Sequence, residues 1–326
     1  MSCSGHGHIG DTMGISVSSA VLFHCWRSDD MAVARYILES ICEKGLLLTT
    51  NAATLDSFAI DRDKGVEKME VMQRPRVCFT DIPIELLADH GQRYGKYGVG
   101  FRRETVIDWG GLPAWYLPNY WGDGTLKVAG PVLVNGMHAA MDAAQHLQVL
   151  ATEFKAKGIP FTVTYKHGSS MQADQLVTEM QHVAHSVFMV LSFIKEMSPQ
   201  SAEDHSYLFE REWRLVAGFD LAGKPSAFLI LSQDEKEALC ARRSVWREKR
   251  QSQDINITAR YGDAPVIDSF RYFNGLPGGK TVTQLIDTFL VPDESAAEWV
   301  KKFVADRAKH FGDGIPKVVT FPATGS

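Results

Sequence analysis

Residues 286–321, IDTFLVPDESAAEWVKKFVADRAKHFGDGIPKVVTF, set an apolar run, an amphipathic run and a second apolar run in succession. Ile286 to Val291 reads as a strand, Glu294 to His310 as a helix capped by Asp293, and Lys317 to Phe321 as a second strand. A strand, a helix and a strand of these lengths make a βαβ unit that closes the chain.

Outward from that unit, helices and strands alternate without a regular period. The apolar run within Ile15 to Cys25 reads as a first strand with His24 near its end. A helix follows from about Asp30, with Ser28 or Asp29 as cap, Val33, Tyr36, Ile37 and Ile41 at helical spacing, and Gly45 as its stop. Asn51 to Gln73 is polar and reads as a surface loop. Arg76 to Thr80 is a second strand, ended by Asp81-Ile82-Pro83, and a helix runs from Ile84 to about Arg93. Gly95, Gly98 and Gly100 mark a tight turn into a third strand where backbones approach closely. The aromatic stretch Trp109 to Trp121, broken by Pro113 and Pro118, reads as a packed lid or loop, or else as a platform on which bases stack.

Pro131 to Lys157 and Gln172 to Met197 carry helical patterns, with Val183 to Ile194 read as a buried helix. Leu215 to Ala217 and Ala227 to Leu231 are further strands. The fold class is therefore α+β, a split mixed β-sheet flanked by helices. Residues 1–14 form a flexible tail, and 15–326 form one domain with a helical insertion at about 131–197.

Composition restricts the function classes. With 326 residues, 45% hydrophobic and 22% charged, the chain has the make-up of a globular protein. A net charge of -5 gives no bulk attraction to nucleic acid and leaves only local basic patches for that purpose. No apolar run approaches the length of a membrane span, and no secretory signal is recognisable, so the expected location is the cytoplasm. The five cysteines are widely spaced and without CxxC pairing, which suits reduced thiols and argues against a cysteine zinc site. His6, His8, His138, His146, His182 and His185 read as bystanders, and no metal is expected.

The chemistry concentrates at Phe209-Glu210-Arg211-Glu212-Trp213-Arg214-Leu215-Val216. Glu210 and Glu212, two residues apart on an extended chain, project from one side, and together they suit a sugar hydroxyl and a developing cation. Arg211 and Arg214 are expected to point away from that face; the alternative is an ordinary salt-bridged strand end. A second candidate is the segment Arg242 to Arg250. There Arg242, Arg243, Arg247 and Arg250 surround Trp246, a pattern that fits either nucleic-acid contact or a solvated helix face. Gly278-Gly279-Lys280-Thr281 lacks the earlier glycine of a phosphate loop, and neither a dinucleotide-binding glycine motif nor a nucleophile elbow is present.

His24, the blocks Val77-Cys78-Phe79-Thr80-Asp81-Ile82-Pro83 and Tyr94-Gly95-Lys96-Tyr97-Gly98-Val99-Gly100-Phe101, His90 and Glu210-Arg211-Glu212-Trp213-Arg214 together resemble the AbiGi-type abortive-infection proteins of bacterial phage defence. More distantly, the same landmarks are similar to the ADP-ribosyltransferase superfamily. That similarity implies a split sheet binding NAD as substrate, with His24, Cys78, Thr80, His90 and Tyr97 at the cofactor and Glu212 and Glu210 as catalytic carboxylates. Cys78 stands where that superfamily has Tyr or Ser, and Thr80 is the substitute hydroxyl. The implied reaction moves ADP-ribose to a macromolecular acceptor, protein or RNA, arresting growth. Glu212 would stabilise the oxocarbenium-like ribose and Glu210 would orient the acceptor. Two alternatives stand beside it: a non-enzymatic antitoxin or sensor holding a toxin or phage component, and a metal-independent RNase using His24, His90 and Glu212.

Overall fold

The structure, a computed structural model, describes residues 19–28, 30–50, 59–61, 65–67, 74–118, 120–122, 125–127, 129–160, 162–164, 167–168, 170–197, 211–218, 227–247, 265–312 and 314–321. Strand β1 (Val21–Trp26) leads to α1 (Met31–Lys44), β2 (Leu46–Leu48) and a small hairpin of β3 (Ala59–Asp61) and β4 (Gly65–Glu67). Then come β5 (Arg76–Thr80), α2 (Leu87–Tyr94), β6 (Tyr97–Arg102) and α3 (Arg103–Asp108). Four short strands follow, β7 (Leu112–Pro113), β8 (Trp115–Pro118), β9 (Tyr120–Gly122) and β10 (Thr125–Lys127). Helix α4 (Ala129–Ala156) is joined through the hairpin of β11 (Thr162–Thr164) and β12 (Ser170–Gln172) to α5 (Ala173–Phe193), which runs straight into β13 (Ile194–Met197). The remainder is β14 (Glu212–Val216), β15 (Phe228–Ile230), α6 (Gln233–Arg242), β16 (Arg271–Phe273), β17 (Ile286–Val291), α7 (Glu294–Asp306) and β18 (Lys317–Thr320).

The central sheet has the order β18-β17-β6-β1-β5-β14-β7 and is mixed: β17 and β18 run parallel across α7, and every other pair is antiparallel. The terminal βαβ reading is thereby borne out, with Asp293 Oδ1 accepting from the Ala296 amide at the start of α7. A second sheet, β15-β16-β2, stands beside the first. Alternation along the strands divides the core. Leu22, Phe79 and Phe289 pack with Leu38 of α1 and Val300 of α7, while Phe23, Leu290 and Leu87 form a smaller cluster with Ile82 and Phe321.

Several local expectations are corrected. The cap of α1 is Asp30, whose carboxylate accepts from the Ala32 amide at 2.7 Å, because the Ser28 hydroxyl is spent on the Asp30 carbonyl. Gly45 does end the helix, at φ +91°, where a Cβ would overlap the Phe273 carbonyl. The span Asn51 to Gln73 is not all loop, since β3 and β4 lie within it. Trp109 belongs to no lid: its ring lies between Phe101 and Phe273 at centroid distances of 5.0 and 5.2 Å, and β7, β8 and β9 occupy the stretch that follows. The helix read through Met197 stops at Phe193, because β13 is drawn into parallel pairing with β8, Ile194 against Trp115. Val183, read as buried, is 39% exposed. Residues 1–14 and the start of the first strand, 15–18, lie outside the described residues.

Candidate functional site

β1 and β5 are neighbours in the sheet, yet they share register only at Phe23 opposite Thr80. On the far side of β5, Thr80 faces Glu212 and Cys78 faces Arg214 of β14. Where β1 and β5 part, a cleft of about 100 Å³ opens, lined by Phe23, His24, Cys25, Cys78, Phe79, Thr80, His90, Tyr94 and Glu212. Five residues singled out from sequence, His24, Cys78, Thr80, His90 and Glu212, thus line one cavity. Tyr97 does not: it is buried on β6 against Trp26, and Tyr94, three residues earlier, lines the cleft instead. Glu210 and Arg250 lie outside the described residues.

His24 bridges the parting strands, its Nδ1 2.9 Å from the Cys78 carbonyl oxygen. A carbonyl only accepts, so Nδ1 carries the proton and Nε2 is left as an acceptor. Burial lowers the pKa of His24 against the raising effect of that hydrogen bond, and the ring is neutral at physiological pH. His90 reaches the cleft from α2, a helix held down by buried Leu87 and by Gly91 under the Phe321 ring. It stacks on Tyr94 one turn later at 4.5 Å. Burial, with Lys195 and Arg93 nearby, lowers its pKa to about 4. Burial likewise raises the thiols of Cys78 and Cys25 to about 11 and about 12.

Glu212 is the charged centre. Its Oε1 accepts from Arg214 Nε at 2.6 Å and from the Cys78 thiol at 3.1 Å, and its Oε2 accepts from Lys195 Nζ at 2.6 Å. Burial alone would raise its pKa; Arg214 and Lys195 outweigh that and hold it at about 2. The expectation for Arg214 is corrected here: it lies two residues from Glu212, so alternation puts both on one face, and only Arg211 is offset. Arg214 also donates to the carbonyls of Ser192 and Ile194, fixing the end of α5 to the sheet. Two cations thus meet one carboxylate at the wall of the cleft.

Sequence reading missed Lys195. Its one signal is that it is the first charge after the long apolar run ending at Ile194. Tyr116 was missed as well; its hydroxyl accepts from the Glu212 amide at 3.0 Å. Behind the site, Asp81 takes Arg103 at 2.8 Å, Arg211 at 3.3 Å and the Ser19 amide at 2.9 Å. Arg211 has φ +48°, a left-handed conformation unusual for a residue with a Cβ, and its carbonyl accepts from the Asp81 amide.

The basic segment is placed apart from these residues. Arg242 lies over Tyr36 at 3.9 Å and Arg243 over Trp246 at 5.4 Å, while Arg247 is exposed. The Trp246 and Phe270 rings meet edge to face, beside a small core with Leu231 and Cys240. Among the described residues no three His, Cys, Asp or Glu side chains are grouped to hold a metal ion, and no helix is long and apolar enough to cross a membrane.

A mixed-sheet α+β chain with a small cleft at a strand separation defines the class. Its family follows from comparison: a profile described as "Putative abortive phage resistance protein AbiGi, antitoxin" matches residues 51–257, well over half of the chain, and the chain belongs to that family of phage defence. The match takes in β5, α2 and β14 and leaves out β1 and the terminal βαβ unit. No curated protein and no solved structure matches the chain.

Proposed function

We propose that this chain serves phage defence as an antitoxin-type binding component that restrains a toxin partner. The family's description as an antitoxin supports the role. The observation that carries it is the state of Glu212: both carboxylate oxygens are taken by Lys195, Arg214 and Cys78, as in a wall that holds the fold together. The test is co-expression with the product of the neighbouring gene. Rescue of growth by the wild-type chain, together with co-purification, is the expected result; toxicity of the chain expressed alone would overturn it.

A second reading is favoured by the convergence of His24, Cys78, Thr80, His90 and Glu212 on one cleft: transfer of ADP-ribose from NAD to a protein or RNA acceptor. The cleft has room for a single ring, which fits the nicotinamide end of NAD. NAD would supply the ribose carbon that accepts the new bond. His24 Nε2 would accept a hydrogen bond from the ring's amide, and His90 and Tyr94 would wall it. Glu212 would leave Lys195 for a ribose hydroxyl and stabilise positive charge developing on the sugar. Labelled NAD incubated with the protein and a cell lysate gives labelled protein or RNA on this reading. Absence of both label transfer and nicotinamide release overturns it, and RNA cleavage without NAD would favour the nuclease alternative.

A further inference from the structure

Between Ala129 and Thr152, α4 carries one charged residue, Asp142, and α5 carries none from Met180 to Phe193. Helices so poor in charge are ordinarily covered around most of their circumference. These two are not. They pack on each other as an antiparallel pair, tied at one end by Lys155 and Asp174 at 2.7 Å, and Ala144, Ala151 and Leu176 on them are buried. At about 100° per residue, Ala144, Gln148 and Ala151 share one sector, the more buried side of α4. Ala143, Leu147 and Leu150 fall in the adjoining sector and remain in solvent, Leu147 37% and Leu150 46% exposed.

We propose that this stripe is the contact face of a homodimer, in which the α4–α5 pair of one copy packs on that of a second as a four-helix bundle. This goes beyond the antitoxin reading and does not depend on it. A second copy fits this stripe by charge and by area. A charged surface laid on this stripe would lose hydration with no counter-charge to meet it, so the occupant must itself be poor in charge. Another α4–α5 pair has that chemistry over the same stretches of its two helices, and a two-fold axis makes one face serve both copies. From Gly136 to Phe154 the stripe spans about 27 Å, and two helices side by side are about 18 Å wide, giving about 500 Å² on each copy. The roughly 1,000 Å² total sits at the lower bound for a specific interface, which makes the dimer a weak, micromolar one.

The experiment is sedimentation of the full chain from low to high micromolar concentration. A monomer–dimer equilibrium is expected, lost in the Leu147→Asp/Leu150→Asp variant and kept in Val149→Lys, since Val149 projects from a different side of α4. Hydrogen exchange on the wild type supplies a readout free of folding defects: protection of residues 143–154 rises with concentration. A wild-type chain monomeric throughout, a dimer that survives the double substitution, or a dimer lost on Val149→Lys alone would each overturn the proposal. So would a monomer that needs Leu147 and Leu150 to hold a different protein.

Discussion

Replacing Glu212 by Gln keeps the shape of the side chain and deletes the charge on which Lys195 and Arg214 converge. Arg214 is 4% exposed, so its guanidinium is left against one amide oxygen, with the amide NH2 opposed to a second donor. Two routes give the cost. The carboxylate is held at about 2 against an ordinary 4.5, and each unit is about 1.4 kcal/mol, so loss of ionisation costs about 3 kcal/mol. Removing one partner of a buried ion pair independently costs roughly 3–5 kcal/mol. A chain of this size then loses roughly 5 °C in Tm. Urea unfolding of wild type and Glu212→Gln at neutral pH measures the difference directly. Because the folded pKa is depressed, the stabilisation is complete above about 4.5 and is lost as pH falls toward 2. The two unfolding curves must therefore converge in acid. A neutral-pH difference below about 0.5 kcal/mol, the level of an ordinary surface substitution, refutes the reasoning.

Three further outcomes follow from the same geometry. His90 is held near 4 when folded against 6.5 when free, so falling pH protonates the unfolded chain first; about 3 kcal/mol of stability goes between those values, and His90→Gln flattens that part of the stability profile. Asp81→Asn leaves Arg103 and Arg211 without their shared carboxylate and costs about 2–4 kcal/mol in urea unfolding, whereas Asp174→Asn, at an exposed pair, changes stability by less than about 1 kcal/mol. The thiols of Cys25 and Cys78 stay protonated at pH 8, so site-resolved mass spectrometry finds both unmodified by iodoacetamide in native protein and fully alkylated in urea.

What the sequence disclosed was local. The capped helix after Asp293, the stop at Gly45 and the strand Arg76 to Thr80 are written in spacing and in single residues, and the structure keeps them. The convergence of His24, Cys78, His90 and Glu212 was reached only through likeness to known proteins. No pattern in one chain states which strands will be neighbours. Lys195 shows why: it arrives at Glu212 because β13 pairs with β8, Ile194 against Trp115, a contact across a long stretch of chain that leaves no local mark. Arg214 failed for a plainer reason, since its parity with Glu212 was there to be counted.

The meeting of β1 and β5 at the single pair Phe23–Thr80 has a mechanical meaning. On one side stand β18, β17, β6 and β1, on the other β5, β14 and β7, each half closed by its own ladder of backbone bonds. Across the line between them the imidazole of His24 acts as a stitch, doing for the Cys78 carbonyl what a neighbouring amide does elsewhere in the sheet. Such a sheet has a line along which its halves can part without either ladder breaking, and the cleft lies on it. Cutting the stitch with His24→Ala should let the halves spread without melting either one, seen as faster amide exchange along this seam while the β6–β17 ladder keeps its protection.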